Sequence, residues 1–195
     1  MINEHALALP ICYLPSISWF VHAIGKQELI LSSAEFYRKE NHPNRCSIFS
    51  ANGIINLNVP LSGGRNQKTR MCELKIAGDD WKRNHLYALK SAYGKAPFFL
   101  YYFDELEKII VGIKDNYFDL CVELIKWLIK ELNLSVSIII SNIEIIVAKI
   151  TSGEHSKYYQ VFENKFGFQN NMSAIDLLFC LGPDANGYLK NQNVK

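Results

Sequence analysis

The chain has 195 residues, 49% of them apolar and 21% charged, with a net charge of +2. That length is about one domain and enough for a sizeable core, and the apolar content excludes disorder. The small net charge excludes a global attraction to nucleic acid or anionic lipid, so any electrostatic function is local.

Residues 1–9 carry two charges of opposite sign and Pro10 interrupts the apolar residues after them, so no secretory signal is read there. The opening predicts a strand and then a helix over Ile17 to Ile24, with Ser16 as N-cap and Gly25 as stop. A short strand at Glu28 to Leu31 completes a βαβ unit. A hairpin comes next, with strands at Cys46 to Ser50 and Ile54 to Leu61 around Asn52-Gly53. Alternation over Met71 to Ile76 predicts a third strand of that sheet. Three helices succeed it, from Asp79 or Asp80 to Tyr93, from Pro97 to about Ile110, and from Asp115 with an apolar face through Leu132.

The most apolar long stretch, Leu134 to Ile150, contains Asn142, Glu144 and Lys149. It is too short and too charged for a membrane span, which needs about 20 mostly apolar residues. Two core strands, Val136 to Ile140 and Ile143 to Ile150, are predicted instead. Ser173 and Asp176 have capping-box spacing at the head of a last helix, which Gly182-Pro183 ends. The expectation is an α/β (or α+β) fold with a mixed sheet and several packed helices. It forms one domain over residues 1–190, with a polar tail at 191–195.

The five cysteines are odd in number and form no CxxC pair, so the sequence calls for no zinc, redox centre or other cofactor. Free thiols fit a reducing compartment, the cytoplasm. No HExxH, GxSxG or GxxxxGK[ST] motif is present, and Ser62-Gly63-Gly64-Arg65 is only a weak match to a phosphate loop.

Charge placement is the clearest anomaly. Arg38, Lys39, Arg45, Arg65, Lys68 and Arg70 stand against one acid, Glu40, while the rest of the chain is net negative. Arginine forks match phosphate and carboxylate geometry, so this window points to a phosphorylated small ligand; the competing reading is a solvated basic face. Trp81 and His85 share a helix face, with Tyr93 three turns on. That pattern reads either as an acid/base histidine beside a stacking platform or as a histidine satisfied in packing. Phe98, Phe99, Tyr101, Tyr102 and Phe103 cannot all face one way on a helix, so some cover another element or offer a protein-contact surface.

Many of these segments also occur in one family, in the same order. They are Tyr13-Leu14-Pro15, Trp19-Phe20, Tyr37, Asn44-Arg45-Cys46, Asn52-Gly53 and Val59-Pro60, then Trp81 with His85, Ser91-Ala92-Tyr93, Pro97-Phe98-Phe99 and Tyr101-Tyr102. Gln160-Val161-Phe162, Gly167-Phe168, Asn171-Met172-Ser173, Asp176-Leu177-Leu178-Phe179 and Gly182-Pro183 complete the series. In this the chain resembles the WbqC-like family over roughly residues 10 to 183. The resemblance implies a bacterial cytoplasmic protein connected with surface-polysaccharide (O-antigen) biosynthesis, and it carries over no catalytic residues. The family has an aromatic and an arginine before Asn-Arg; this chain has His42-Pro43, one cation fewer and a stiffer loop.

The reading that combines these features is a group transferase acting on a sugar nucleotide or another phosphorylated or acyl-activated donor. His85 and Asp176 are the catalytic nominees. Tyr13, Lys39, Asn44, Arg45, Lys68, Trp81 and Tyr93 are the ligand-binding ones. No metal, nucleic acid or transmembrane segment is expected. The alternative is a non-catalytic partner or scaffold in polysaccharide assembly, using the Phe98 to Phe103 surface.

Overall fold

The computed structural model describes residues 5–62 and 69–192. The predicted βαβ unit forms: β1 (Ala6–Ala8), α1 (Ile17–Ala23) and β2 (Glu28–Ser32), with β1 and β2 parallel. Gly25 takes a φ of 75° just past α1, a left-handed position that glycine occupies without strain. Strand β5 (Ser137–Ser141) adds to the other side of β2, also parallel, giving the order β1-β2-β5.

The hairpin is a separate two-stranded antiparallel sheet, β3 (Arg45–Ser50) with β4 (Gly53–Asn58). Its turn is one residue out of the expected register. Ser50 pairs with Gly53, so Ala51 and Asn52 are the loop residues and Gly53 alone takes positive φ, at 92°. The mixed sheet therefore takes the form of two sheets, parallel and antiparallel, in an α/β chain.

The middle helices are α2 (Asp80–Tyr93), α3 (Phe99–Gly112) and α4 (Tyr117–Glu131). Asn116 caps α4 by accepting the Asp119 backbone N–H at 2.9 Å. Near the C-terminus lie α5 (Glu163–Phe166), α6 (Ala174–Leu181) and α7 (Ala185–Lys190). Apolar faces of α1, α2, α3, α4 and α6 meet in one continuous core with the inner residues of β2 and β3.

Three expectations are corrected. Met71 to Ile76 is not a strand: Met71–Glu73 is a 3-10 turn, and Ile76 makes only an isolated bridge with Leu61. The alternation arises because Met71, Leu74 and Ile76 are buried while their backbone groups find scattered partners, such as the Asp115 carbonyl for the Ile76 N–H at 2.7 Å. Ile143 to Ile150 forms no strand. Its Ala148 N–H donates to Ala8 at the edge of β1, at 2.8 Å, and Ile143 and Ile146 face solvent rather than the core. Ser173 and Asp176 do not form a capping box: the Ser173 hydroxyl donates to the Leu14 carbonyl at 2.8 Å, and the Asp176 carboxyl turns inward.

Among the described residues, no helix is long and apolar enough to cross a membrane. Gly182 ends α6 at φ 56°, and a Cβ there would sit 2.5 Å from the Phe98 ring. Replacing Gly182 with Ala therefore combines backbone strain with overpacking and should cost about 1–3 kcal/mol, read as a lower denaturation midpoint in urea. An unchanged midpoint would show that Phe98 has room to yield.

Candidate functional site

Parallel strands all end on the same side of their sheet, and ligands of open α/β sheets bind in the crevice beyond those carboxyl ends. Here the continuations of all three strands meet there. Residues 10–16 follow β1, residues 35–43 follow β2 and residues 144–150 follow β5; together with the start of β3 they line a cleft of about 920 Å³.

The floor is held by the backbone of Pro43. Its carbonyl accepts the Tyr13 N–H at 2.8 Å and the Tyr117 hydroxyl at 2.6 Å. His42 beside it is left-handed at φ 45°, an uncommon conformation for a residue before proline, and it lines the cleft.

Charges of both signs line the cleft: Arg38, Arg45 and Lys149 with Glu35 and Glu144. Neither Arg38 nor Arg45 lies within ion-pair distance of an acid among the described residues. Arg45 is steadied by Nε donating to the Asn58 side chain at 2.9 Å, which leaves the rest of its fork free of that contact.

Glu35 was not a sequence nominee. It lies three residues past β2, and one of its carboxylate oxygens is shielded from water without a hydrogen-bond partner. Burial pushes its carboxyl up to about 7, against the pull of the Ile11 backbone N–H and the Arg38 guanidinium. The neighbouring Cys12 thiol is driven up to about 12 by burial and by the Glu35 charge, so it is an inert thiol rather than a nucleophile. A signal for Glu35 existed: an acid just beyond the second strand of a βαβ unit is at a sheet's carboxyl edge.

The nominated residues divide. Tyr13 and Arg45 line the cleft; Lys39 is exposed on the 3-10 turn at 39–41, off the lining; Lys68, with Gly63, Gly64 and Arg65, lies outside the described residues. Asn44 ties the loop to the hairpin, its amide donating to the Val59 carbonyl at 2.8 Å and its oxygen accepting from the Tyr37 hydroxyl at 3.3 Å.

His85 is buried behind the cleft. Its Nδ1 is 3.0 Å from the Tyr13 hydroxyl, and its ring also bonds the Asn58 backbone carbonyl. Burial lowers His85 to about 4, keeping the ring neutral. Trp81 packs edge-on against both, with centroids 6.1 Å from Tyr13 and 5.0 Å from His85, and does not line the cleft.

Tyr93 and Asp176 meet deep in the core. The Tyr93 hydroxyl donates to Asp176 Oδ1 at 2.8 Å and accepts the Phe49 N–H at 3.1 Å. Asp176 Oδ2 accepts from the Tyr158 hydroxyl and from the Gln160 amide, the latter at 2.9 Å. Burial raises the Asp176 carboxyl, and its three hydrogen bonds pull it back. With 0% exposure it has no access to the cleft.

Asp176→Ala leaves the Tyr93 and Tyr158 hydroxyls without their acceptor and removes one acceptor of the Gln160 amide, and should lower stability by about 3–5 kcal/mol in urea unfolding. A loss under about 1 kcal/mol would mean the network is dispensable. Glu35 gives a pH signature. Its proton is held more tightly folded than unfolded, so its contribution is full below pH 4.5 and lost as pH rises through about 7. His85 has the opposite sign, contributing above pH 6.5 and failing as pH falls through about 4. Wild type minus Glu35→Gln isolates the first effect: the stability difference should fall between about pH 4.5 and 7 and then flatten. A difference independent of pH would refute the shift.

No curated protein and no solved structure matches the chain. The profile of the WbqC-like protein family matches residues 12–149, which takes in most of each strand continuation around the cleft and stops short of Tyr158, Gln160 and Asp176. On that match, which spans well over half of its length, the chain belongs to the WbqC-like protein family.

Proposed function

We propose that the cleft binds a phosphorylated small molecule and that the protein is a group transferase acting on a sugar nucleotide or another phosphorylated or acyl-activated donor. The observation that carries this reading is the pair Arg38 and Arg45, free of acidic partners among the described residues, on a cleft at the carboxyl ends of three parallel strands. Arg45 and Arg38 hold the anionic group. Tyr13 forms part of the wall, and His85 acts through it as a positioning residue, since its ring bonds fix the Tyr13 hydroxyl. The place of the reaction, surface-polysaccharide biosynthesis, follows from the association the family name carries.

A scaffold role draws on a different observation. On α3, Leu100 and Tyr101 are 83% and 82% exposed, while Phe99 and Phe103 are buried. Tyr101 rather than Tyr102 is then the residue whose removal would damage a protein contact.

Thermal shift with nucleotide sugars, nucleotides, coenzyme A esters and phosphate separates the two. A ligand at 100 times its dissociation constant stabilises by about 2.7 kcal/mol. The expected result is a shift in melting temperature with one ligand class that Arg45→Ala abolishes. Arg45 is exposed and its loss leaves the core intact, so the variant remains folded. No shift with any of these ligands, on folded protein, would sink the transferase reading.

A further inference from the structure

We propose that Glu35 forms a subsite for an amino group, so that the phosphorylated ligand of the cleft is an amino sugar or a similarly zwitterionic molecule. This rests on the reading of the cleft as a phosphate site and names the class of molecule it selects.

A site for a simple anion gathers cations and keeps acids away, because a nearby carboxylate repels the ligand and competes for the arginines. This cleft instead carries Glu35 and Glu144 beside Arg38, Arg45 and Lys149. Such a lining complements a ligand with a negative group at one end and a positive or hydrogen-bond-donating group at the other.

Glu35 is the acid built for that second group. It is fixed at the carboxyl end of β2, its backbone carbonyl accepting the Met71 N–H at 2.8 Å. The Ile11 backbone N–H draws the carboxyl down, yet one carboxyl oxygen has no hydrogen-bond partner. Buried carboxylate oxygens are nearly always hydrogen-bonded, and one left alone is destabilising. Arg38 acts on it electrostatically but forms no ion pair with it among the described residues. An incoming N–H supplies the missing donor. The nearby Cys12 offers only a weak S–H donor and Phe36 none, so neither side chain replaces it.

The experiment compares two probes with the same phosphate that differ by one amino group, glucosamine 6-phosphate and glucose 6-phosphate. Binding is measured by calorimetry on the full chain. Wild type should bind the amino sugar phosphate at least tenfold more tightly. Glu35→Gln should erase that preference while still binding glucose 6-phosphate, and Arg45→Ala should weaken both probes alike. Melting curves confirm that each variant is folded, and Glu35→Asp, which keeps the charge, should retain part of the preference. Equal binding of the two probes to wild type, with Arg45 dependence intact, overturns this inference and leaves the proposed function standing. A preference that survives Glu35→Gln overturns it as well. No binding of either probe, together with no thermal shift from any nucleotide or coenzyme ligand, removes both.

Discussion

The buried carboxylate of Asp176 is the interaction on which the rest of this fold depends. It sits on α6 at the centre of the core and accepts hydrogen bonds from Tyr93 on α2 and from Tyr158 and Gln160 in the irregular segment before α5. Tyr93 in turn takes the Phe49 N–H of β3, and the Gln160 amide reaches the Gln169 carbonyl at 3.0 Å. One acidic side chain therefore joins a helix, a hairpin strand and the segment 142–162, which has no ladder of its own. Taking a carboxylate out of water is expensive, and it is tolerated only when its lone pairs are met by donors held in fixed geometry. That requirement fixes how α2, α6 and the segment around Tyr158 pack.

Around this anchor, the parallel sheet decides where a ligand can go. With only three strands it is small, but all three run the same way, and the chain leaving each of them is directed to one edge. Parallel pairing thus concentrates Pro10 to Ser16, Glu35 to Pro43 and Glu144 to Ile150 at one cleft, although these segments are far apart in the chain. The hairpin closes the remaining side and presents Arg45. Tyr13 couples this surface to the interior: its backbone anchors the floor through Pro43, and its hydroxyl bonds His85, which burial keeps neutral.

Elements governed by short-range chemistry were legible from the residues. The βαβ opening, the hairpin near Asn52-Gly53, the helices α2 to α4 and the stop at Gly182 all depend on periodicity, caps or turn residues within a few positions. Arg45 and Tyr13, named from the sequence as ligand-binding residues, both line the cleft. Misreadings arose where a local pattern had two physical origins. Alternation over Met71 to Ile76 records burial on one side of an irregular segment, not strand pairing. Apolar content over Ile143 to Ile150 read as core, yet Ile143 and Ile146 face solvent. Ser173 and Asp176 had the spacing of a cap, but better partners lay far away in sequence, Leu14 for one and Tyr93, Tyr158 and Gln160 for the other.

The sequence by itself determined the class of fold, the family and the basic character of the segment that supplies Arg38 and Arg45, because these reside in composition, local spacing and residue order. Tertiary structure alone decided that His85, Trp81, Tyr93 and Asp176 belong to the interior and that Glu35 belongs to the cleft. The physical reason is that burial and hydrogen-bond partnership are set between residues as far as 72 or 159 positions apart, as in Tyr13 with His85 or Ser173 with Leu14. A side chain's ionisation and access depend on those distant partners, and no local pattern records them.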